Sequence, residues 1–187
     1  GGGYPTRDLS SSWHGTHVSG TVAAVGNNAA GIAGVAWGAK LLPLRVLGKC
    51  GGYTSDIADA IVWAAGGTVA GVPVNPNPAK VISLSLGGTG ACSRTFQDAI
   101  TAARGRGAVV VVAAGNSNAD VTGFSPANCS GVITVAATGR SGARAYYSNF
   151  GSLVDIAAPG GDMSSGSANG ILSTLNSGQT APASDSY

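Results

Sequence analysis

The chain contains 187 residues, 44% of them hydrophobic, which predicts one sizeable core and argues against intrinsic disorder. Only 10% of the residues are charged and the formal net charge is +2, so the sequence has no basic stripe, and no nucleic acid is expected as a partner. No run of about 18 apolar residues is present, so no membrane is expected as a partner either.

The first predicted element is a helix that begins at His14. The stretch from Ser12 to Ala24 consists mostly of small residues and contains few bulky side chains. A helix surface this small indicates that another part of the structure approaches it closely. His14 and His17 could also bind zinc, but Asp8 adds at most one further ligand, so zinc is the weaker interpretation.

Beyond residue 40, short apolar runs alternate with helical patterns. This alternation predicts an α/β fold with a doubly wound, mostly parallel sheet and helices on both faces. The predicted strands are 41–47, 81–86, 109–113 and 132–136. The predicted helices begin near Thr54 or Ser55 and span 93–104.

The last part of the chain shows shorter patterns. Residues 145–148 and 153–157 are predicted as short strands that form a small antiparallel pair. Two segments rich in glycine, proline or serine, 66–78 and 160–170, are predicted as surface insertions.

The three cysteines match neither a zinc spacing nor a C-x-x-C redox motif. An odd number of cysteines, in a chain with few charges and many small polar residues, suggests a secreted protein with one disulfide and one further thiol. Cys92 and Cys129 are the favoured pair because both follow consecutive strand ends, and Cys50 is then expected to pair upstream of Gly1. Three free thiols in a cytosolic protein are the alternative.

Two glycine-containing motifs follow predicted strands. Ser85-Leu86-Gly87-Gly88 follows the second strand, and Ala114-Gly115-Asn116 follows the third. Ligands of doubly wound sheets bind outside the carboxyl ends of the strands, so the functional site is expected there. A nucleotide is disfavoured as the ligand because the chain has neither a P-loop motif nor a strand-linked G-x-G-x-x-G.

The histidine and asparagine motifs resemble those of subtilisin-like serine peptidases. Residues 12–24 match the H-G-T-H-x-x-G histidine motif, and Ala113-Ala114-Gly115-Asn116 matches the oxyanion motif. The resemblance implies that His14 is the general base and acid and that His17 supports it. It also implies that the Asn116 amide donates a hydrogen bond to the oxyanion of a tetrahedral intermediate. We expect these two side chains to face one crevice.

Each of these residues has a plainer interpretation when it is considered alone. A histidine at a helix start commonly caps or packs, and asparagine in a Gly-Asn-Ser sequence is ordinary turn chemistry. The presence of both motifs in one chain favours catalysis over these interpretations.

The resemblance also implies substrate-binding segments. Ser85, Leu86 and Gly87 resemble the strand segment that pairs with the substrate backbone, and Gly51 and Gly52 resemble the strand on its other side. The implied substrate-binding residues are Gly51, Gly52, Ser85, Leu86, Gly87, Ala114 and Gly115. Two edges that flank an extended peptide permit β-augmentation, in which main-chain hydrogen bonds give affinity independent of sequence. The alternative is that the glycines only end strands.

Asp155 lies in the segment 151–160, which resembles the family segment that precedes the catalytic serine. The resemblance implies that Asp155 and backbone carbonyls of residues 130–132 bind a structural calcium ion, which favours such all-oxygen ligands. A surface carboxylate without a ligand is the alternative. No cofactor is expected for catalysis.

Two members of the catalytic triad have no recognisable counterpart in the sequence. Asp8 is too near His14 and lies in no apolar strand, while Ser184 and Ser186 are ordinary loop serines. The resemblance therefore implies that residues 1–187 form the central part of a single subtilisin-like peptidase domain, incomplete at both ends, of a secreted, extracellular serine endopeptidase. Its expected partners are polypeptide substrates and the missing N- and C-terminal parts of the domain. Without the serine that forms the acyl-enzyme, the 187 residues alone are expected to hydrolyse nothing. A catalytically inactive binding module is the alternative.

Overall fold

The computed structural model describes residues 11–48 and 50–186, which form two compact units: residues 51–170, and residues 11–48 and 50 together with 171–186. The helices of the described residues are α1 (His14–Ala23), α2 (Thr54–Ala64) and α3 (Arg94–Gly105). Their strands are β1 (Val81–Leu84), β2 (Gly88–Thr89), β3 (Val109–Ala113), β4 (Phe124–Ser125), β5 (Ile133–Thr138), β6 (Ile156–Pro159), β7 (Leu175–Asn176) and β8 (Asp185–Ser186). None of these helices is long and apolar enough to cross a membrane.

A four-stranded parallel sheet forms the centre of the unit 51–170, with the strand order β1-β3-β5-β6. Alternate residues of β1 and β3 are buried, among them Ile82, Leu84, Val110 and Val112. Helix α3 packs on β3 and helix α2 packs on α3, which completes an α/β core. The predicted strands 81–86, 109–113 and 132–136 are confirmed, with ends that differ by no more than two residues.

Helix α3 has the apolar spacing that its sequence predicts, and a serine side chain caps its first turn. The Oγ of Ser93 accepts a hydrogen bond from the Phe96 N–H (3.2 Å), which satisfies one of the free donors of the first turn. Phe96, Ile100 and Ala103 recur at intervals of three and four residues and are all buried. The predicted helix over 93–104 is thereby confirmed.

A buried asparagine ends helix α2. Asn75 is 3% exposed, and its Nδ2 donates to the carbonyl oxygens of Trp63 and Ala64, each at 3.1 Å. Its Oδ1 accepts from the Asn77 N–H at 2.8 Å. These two carbonyls also accept from the backbone N–H groups of Gly66 and Ala79, so Asn75 adds a second donor to each and anchors the segment 66–78 to the end of the helix.

The disulfide between Cys92 and Cys129 is present, with a Cα–Cα distance of 5.1 Å. It joins the segment before α3 to the segment before β5, which are also linked by the antiparallel pairing of β2 with β4. The predicted pairing is confirmed, and the alternative of three free thiols is wrong. Cys50 is exposed.

Residues 41–47 do not form the predicted strand. They have no ladder partner in the described part of the chain, and Leu41, Leu42 and Leu47 are 47%, 38% and 38% exposed. An apolar pattern alone does not make a strand, because each strand also needs a neighbour for its backbone N–H and C=O groups.

The predicted antiparallel pair of 145–148 and 153–157 is also wrong. The second segment contributes to β6, which pairs in parallel with β5, with Val135 opposite Ile156. Residues 145–148 form a turn, and the buried Ser148 Oγ accepts from the Ala137 N–H of β5 at 2.8 Å. The turn is therefore bound to β5 through a side chain, which strand periodicity does not detect.

Hydrogen bonds join the loop after β6 to the turn 145–148. Asp162 accepts hydrogen bonds from the N–H and Oγ of Ser164 and from the Tyr146 N–H, and these bonds lower the pKa of its carboxyl group. The Tyr147 hydroxyl donates to the Gly160 carbonyl at 2.9 Å, and burial raises the pKa of this phenol. That residues 160–170 are a surface insertion stays a prediction.

Candidate functional site

The loop after β3 comprises residues 114–119 and is named the Asn116 loop. Gly115 has φ +109°, a left-handed conformation that favours glycine. The Asn116 side chain is exposed, and its carboxamide has no hydrogen-bond partner within residues 11–48 and 50–186. The loop thus presents an amide donor that is free for a ligand at the carboxyl end of a central strand.

The buried side chain of Asn149 holds the Asn116 loop. Its Nδ2 donates to the Ala114 carbonyl at 2.8 Å, and its Oδ1 accepts from the N–H groups of Ser117 at 2.9 Å and Ala119 at 3.2 Å. Its own backbone N–H donates to the Gly115 carbonyl at 3.0 Å. A β-carbon on Gly115 would lie 2.4 Å from Asn149 Nδ2, so the close approach of the two residues requires glycine.

Sequence analysis did not identify Asn149. The available signal is an amide side chain within the otherwise mainly apolar and aromatic stretch 145–151. A buried amide needs hydrogen-bond partners, so this residue type indicates that some backbone approaches it. Which backbone it meets depends on tertiary structure.

Arg144 adds a second connection to the Asn116 loop. Its Nη1 donates to Asn118 Oδ1 at 2.8 Å and to the Ser148 carbonyl at 2.5 Å. Its guanidinium lies over the Phe150 ring, 4.8 Å from the centroid, within cation–π distance. Asn118 has φ +49°, so the loop contains two residues in left-handed conformations and is held on both sides of Asn116.

The segment Ser85-Leu86-Gly87 follows β1, the neighbour of β3 in the sheet. Parallel strands present their carboxyl ends at one edge, so the structure brings this segment and the Asn116 loop to the same edge, as predicted. The backbones of Leu86 and Gly87 make no hydrogen bond outside the strand ladders within the described residues. A β-carbon on Gly87 would lie 3.0 Å from the Ser125 carbonyl, so β4 passes close beneath it.

Gly51 and Gly52 precede α2 and are exposed. Gly51 has φ +96°, and a β-carbon there would meet no atom within 4 Å. Backbone conformation, and not close packing, therefore favours glycine at this position.

His14 is the first residue of α1, and its side chain is exposed. His17, one turn later, is half-buried, and its Nε2 lies 3.1 Å from the Ile171 carbonyl oxygen. The two histidines of the motif therefore differ: one ring is available to a ligand, and the other is in contact with the segment 171–176. His14 and Asn116 belong to different units, and their convergence on one crevice stays a prediction.

The small residues of α1 accommodate the segment that ends at β7. Ser173 Oγ donates to the His17 carbonyl at 2.6 Å, and Thr174 Oγ1 donates to the Thr16 carbonyl at 2.8 Å. A β-carbon on Gly20 would lie 2.2 Å from Thr174 Oγ1 and 2.5 Å from Ser173 Oγ. The prediction that another part of the structure approaches this helix closely is confirmed.

Asp155 lies just before β6 and is exposed. Its Oδ2 accepts from the Thr134 N–H at 2.7 Å, and its own N–H donates to the Thr134 carbonyl at 3.0 Å. The carboxylate therefore stabilises the start of the β5–β6 pairing, and its other oxygen has no donor among residues 11–48 and 50–186.

Comparison with known proteins identifies close relatives over the whole chain. A model of the subtilase family, peptidase S8, matches residues 2–187. The chain is 62% identical over 187 residues to an extracellular protease of Xanthomonas campestris pv. campestris, and 50% identical over 189 aligned residues to an extracellular basic protease of Dichelobacter nodosus. Each comparison covers 100% of this chain and 30% of the relative, so the chain spans under a third of their length.

Solved structures give the same result for the fold. A protease of Pseudoalteromonas arctica superposes with a TM-score of 0.93 at 62% identity, over 95% of this chain and 53% of that one. A cold-adapted subtilisin-like serine proteinase superposes with a TM-score of 0.63 at 36% identity, over 79% of this chain and 49% of that one. The predicted fold class is confirmed by these structures.

Proposed function

Because the chain belongs to the subtilase family, we propose that it carries the histidine base and the oxyanion donor of a secreted serine endopeptidase. The observation that best supports this proposal is the Asn116 carboxamide, which is exposed, has no hydrogen-bond partner among the described residues and lies on a firmly held loop. A binding module has no need for a donor in this state, whereas acyl transfer needs one where negative charge develops.

The proposed reaction is hydrolysis of a peptide bond through an acyl-enzyme. A serine hydroxyl attacks the peptide carbonyl carbon, and His14 accepts the hydroxyl proton. The carbonyl oxygen becomes an oxyanion, to which the Asn116 amide donates. His14 then transfers the proton to the leaving amine, and water releases the acyl group by the same steps. The serine and the aspartate that orients His14 are not among the residues assigned here.

We propose that the substrate is an extended polypeptide. The backbones of Leu86 and Gly87 are free to pair with it, at the same sheet edge as the Asn116 loop. Gly51 and Gly52 are proposed for its other side because they are exposed and carry no side chain that would block main-chain contact. Main-chain pairing predicts tolerance of varied side chains. The extracellular relatives support a secreted location.

Two histidine variants of the full-length protein test the proposal. His14→Ala is expected to lower kcat by about 10⁶-fold, a magnitude measured in a subtilisin and carried over by family resemblance. The melting temperature should stay unchanged because the His14 side chain is exposed.

His17→Ala is the matched control. It removes the contact with the Ile171 carbonyl, so we expect its main effect on the melting temperature and a much smaller effect on kcat. Retention of turnover by His14→Ala would contradict the assignment and favour the catalytically inactive binding module.

We also propose that Asp155 takes part in a structural calcium site. One carboxylate oxygen has no donor in the described part of the chain, and the carbonyls of residues 130–132 would supply further oxygen ligands. Within the described residues, no cluster of three or more histidine, cysteine or acidic side chains is present, so the site would depend on backbone oxygens. The proposal predicts that calcium raises the melting temperature and that Asp155→Asn weakens this rise. An identical melting temperature with calcium and with a chelator would refute it.

A further inference from the structure

We propose that Asn149 is a positioning residue for catalysis, which fixes the Asn116 loop so that the Asn116 amide faces the developing oxyanion. This inference rests on the proposed role of Asn116. Asn149 lies 33 residues from Asn116 in the sequence and is fully buried. Its side-chain hydrogen bonds go to the backbone of the Asn116 loop, so the proposed action is through that backbone and not through contact with substrate.

Three side-chain hydrogen bonds define the loop. Asn149 donates to the carbonyl that precedes Gly115 and accepts from two N–H groups that follow Asn116. The bonds therefore lie on both sides of Asn116, whose own side chain has no hydrogen-bond partner within the residues that the structure describes. No aspartate, serine or leucine reproduces this pattern, because it requires one amide donor and one oxygen that accepts twice.

Because Asn149 is buried, its hydrogen bonds limit the conformations that the Asn116 loop can adopt. The side chain is 0% exposed, so water does not replace a bond that is lost, and each alternative loop conformation leaves buried polar groups unpaired. Gly115 adds steric closure, because the space for a β-carbon at this position is occupied by the Asn149 amide. The loop conformation and the asparagine are thus mutually dependent.

Oxyanion stabilisation is sensitive to this kind of constraint. A preorganised donor contributes to the transition state because it needs no reorientation during the reaction. Displacement of a catalytic group by about 1 Å can reduce the rate about 10²-fold. Loss of loop order should therefore lower kcat, whereas substrate affinity, which depends on main-chain pairing elsewhere, should change little.

Asn75 provides a matched control for a purely structural role. It is also a buried asparagine with three hydrogen bonds to backbone groups. It lies after α2 and before β1, at the amino end of a strand and hence at the opposite edge of the sheet from the Asn116 loop. Its loss should cost stability without altering the oxyanion donor.

The test compares Asn149→Ala and Asn75→Ala in the full-length protease, each alone and combined with Asn116→Ala. We expect Asn149→Ala to lower kcat by about 10–100-fold with KM changed less than about twofold. Asn75→Ala should leave both constants of the folded fraction within about twofold. In the Asn116→Ala background, Asn149→Ala should have almost no further effect on kcat, because the donor that it positions is already absent.

The outcomes separate the two proposals. If Asn116→Ala leaves kcat unchanged, the oxyanion role of Asn116 fails. If Asn116→Ala lowers kcat but Asn149→Ala does not, or if the two effects multiply, the positioning role fails while the proposed function stands. An equal loss of kcat for Asn149→Ala and Asn75→Ala would also overturn the positioning role of Asn149.

Asn149→Asp covers the case in which the alanine variant does not fold. It keeps the size of the side chain and the oxygen that accepts from Ser117 and Ala119, but it lacks the amide that donates to Ala114. Without the hydrogen bond to the Ala114 carbonyl, the Asn116 loop should open more often. We therefore expect faster hydrogen exchange at the Ser117 and Ala119 amides together with a reduced kcat. Unchanged exchange with a normal kcat would contradict the proposal.

Discussion

Helices α1 and α3 are of similar length but are stabilised in different ways. Helix α3 has a serine cap, four buried residues and an exposed ion pair between Arg94 and Asp98 at 3.5 Å. Helix α1 begins after Trp13, which has φ +51° and gives no side-chain cap, and Gly20 is its only buried residue. Local sequence preferences and apolar burial thus account for α3 but not for α1.

What supports α1 is the segment 171–178. Ser173 and Thr174 donate to backbone carbonyls of the helix, and Trp13 Nε1 donates to the Gly178 carbonyl at 2.5 Å. These contacts require small residues on the helix and leave its first residue, His14, exposed. The helix that begins with the exposed His14 is therefore held by polar contacts from another segment, whereas α3 contributes to the core.

The largest expected stability effect concerns the core side of this comparison. Ile100 in α3 is 0% exposed, so Ile100→Ala should lower the free energy of unfolding by about 2–5 kcal/mol through lost apolar burial and the cavity left behind. The adjacent Thr101 is exposed, and Thr101→Ala should change the free energy of unfolding by no more than about 0.5 kcal/mol. Urea denaturation, monitored by circular dichroism, measures both free energies of unfolding. Equal losses of unfolding free energy for the two variants would show that the Ile100 face of α3 does not pack into the core.

The contrast also explains how much of the molecule the sequence predicts. Helix α3 and strands β1, β3 and β5 followed from hydrophobic periodicity to within two residues at each end, because their burial and local preferences agree. The pairing of Cys92 with Cys129 followed from the positions of two strand ends. Both inferences depend on features close in sequence or on the edge geometry of parallel sheets.

The errors arose where a partner distant in sequence determines the structure. Residues 41–47 have a strand pattern but no ladder partner in the described part of the chain, and residues 145–148 are bound to β5 through Ser148. The hydrogen bonds of Asn149 to the Asn116 loop were missed for the same reason, since they span about 30 residues. Residue type revealed the candidate chemistry of His14 and Asn116, but not what holds Asn116 in place.

The next prediction concerns the close approach to α1. In Gly20→Ala, the added β-carbon would overlap Thr174 Oγ1 and Ser173 Oγ, so the free energy of unfolding should fall by about 1–3 kcal/mol although alanine favours helix. Gly15 is the matched control, because a β-carbon there meets nothing within 4 Å. Gly15→Ala should raise stability by up to about 1 kcal/mol. A gain of stability in both variants would show that segment 171–176 does not restrict α1.

The smallest effect distinguishes the two helix starts. Ser93→Ala removes the oxygen that accepts from the Phe96 N–H in α3, and we expect a loss of about 1 kcal/mol in unfolding free energy. Ser12 lies before α1, but its Oγ is 3.4 Å from the backbone nitrogen of His14, which is a long hydrogen bond at an exposed position. Ser12→Ala should therefore change stability by less than about 0.5 kcal/mol. Thermal denaturation of the two variants provides the measurement. A loss of unfolding free energy for Ser12→Ala as large as that for Ser93→Ala would mean that α1 depends on its own cap instead of on contacts with residues 171–178.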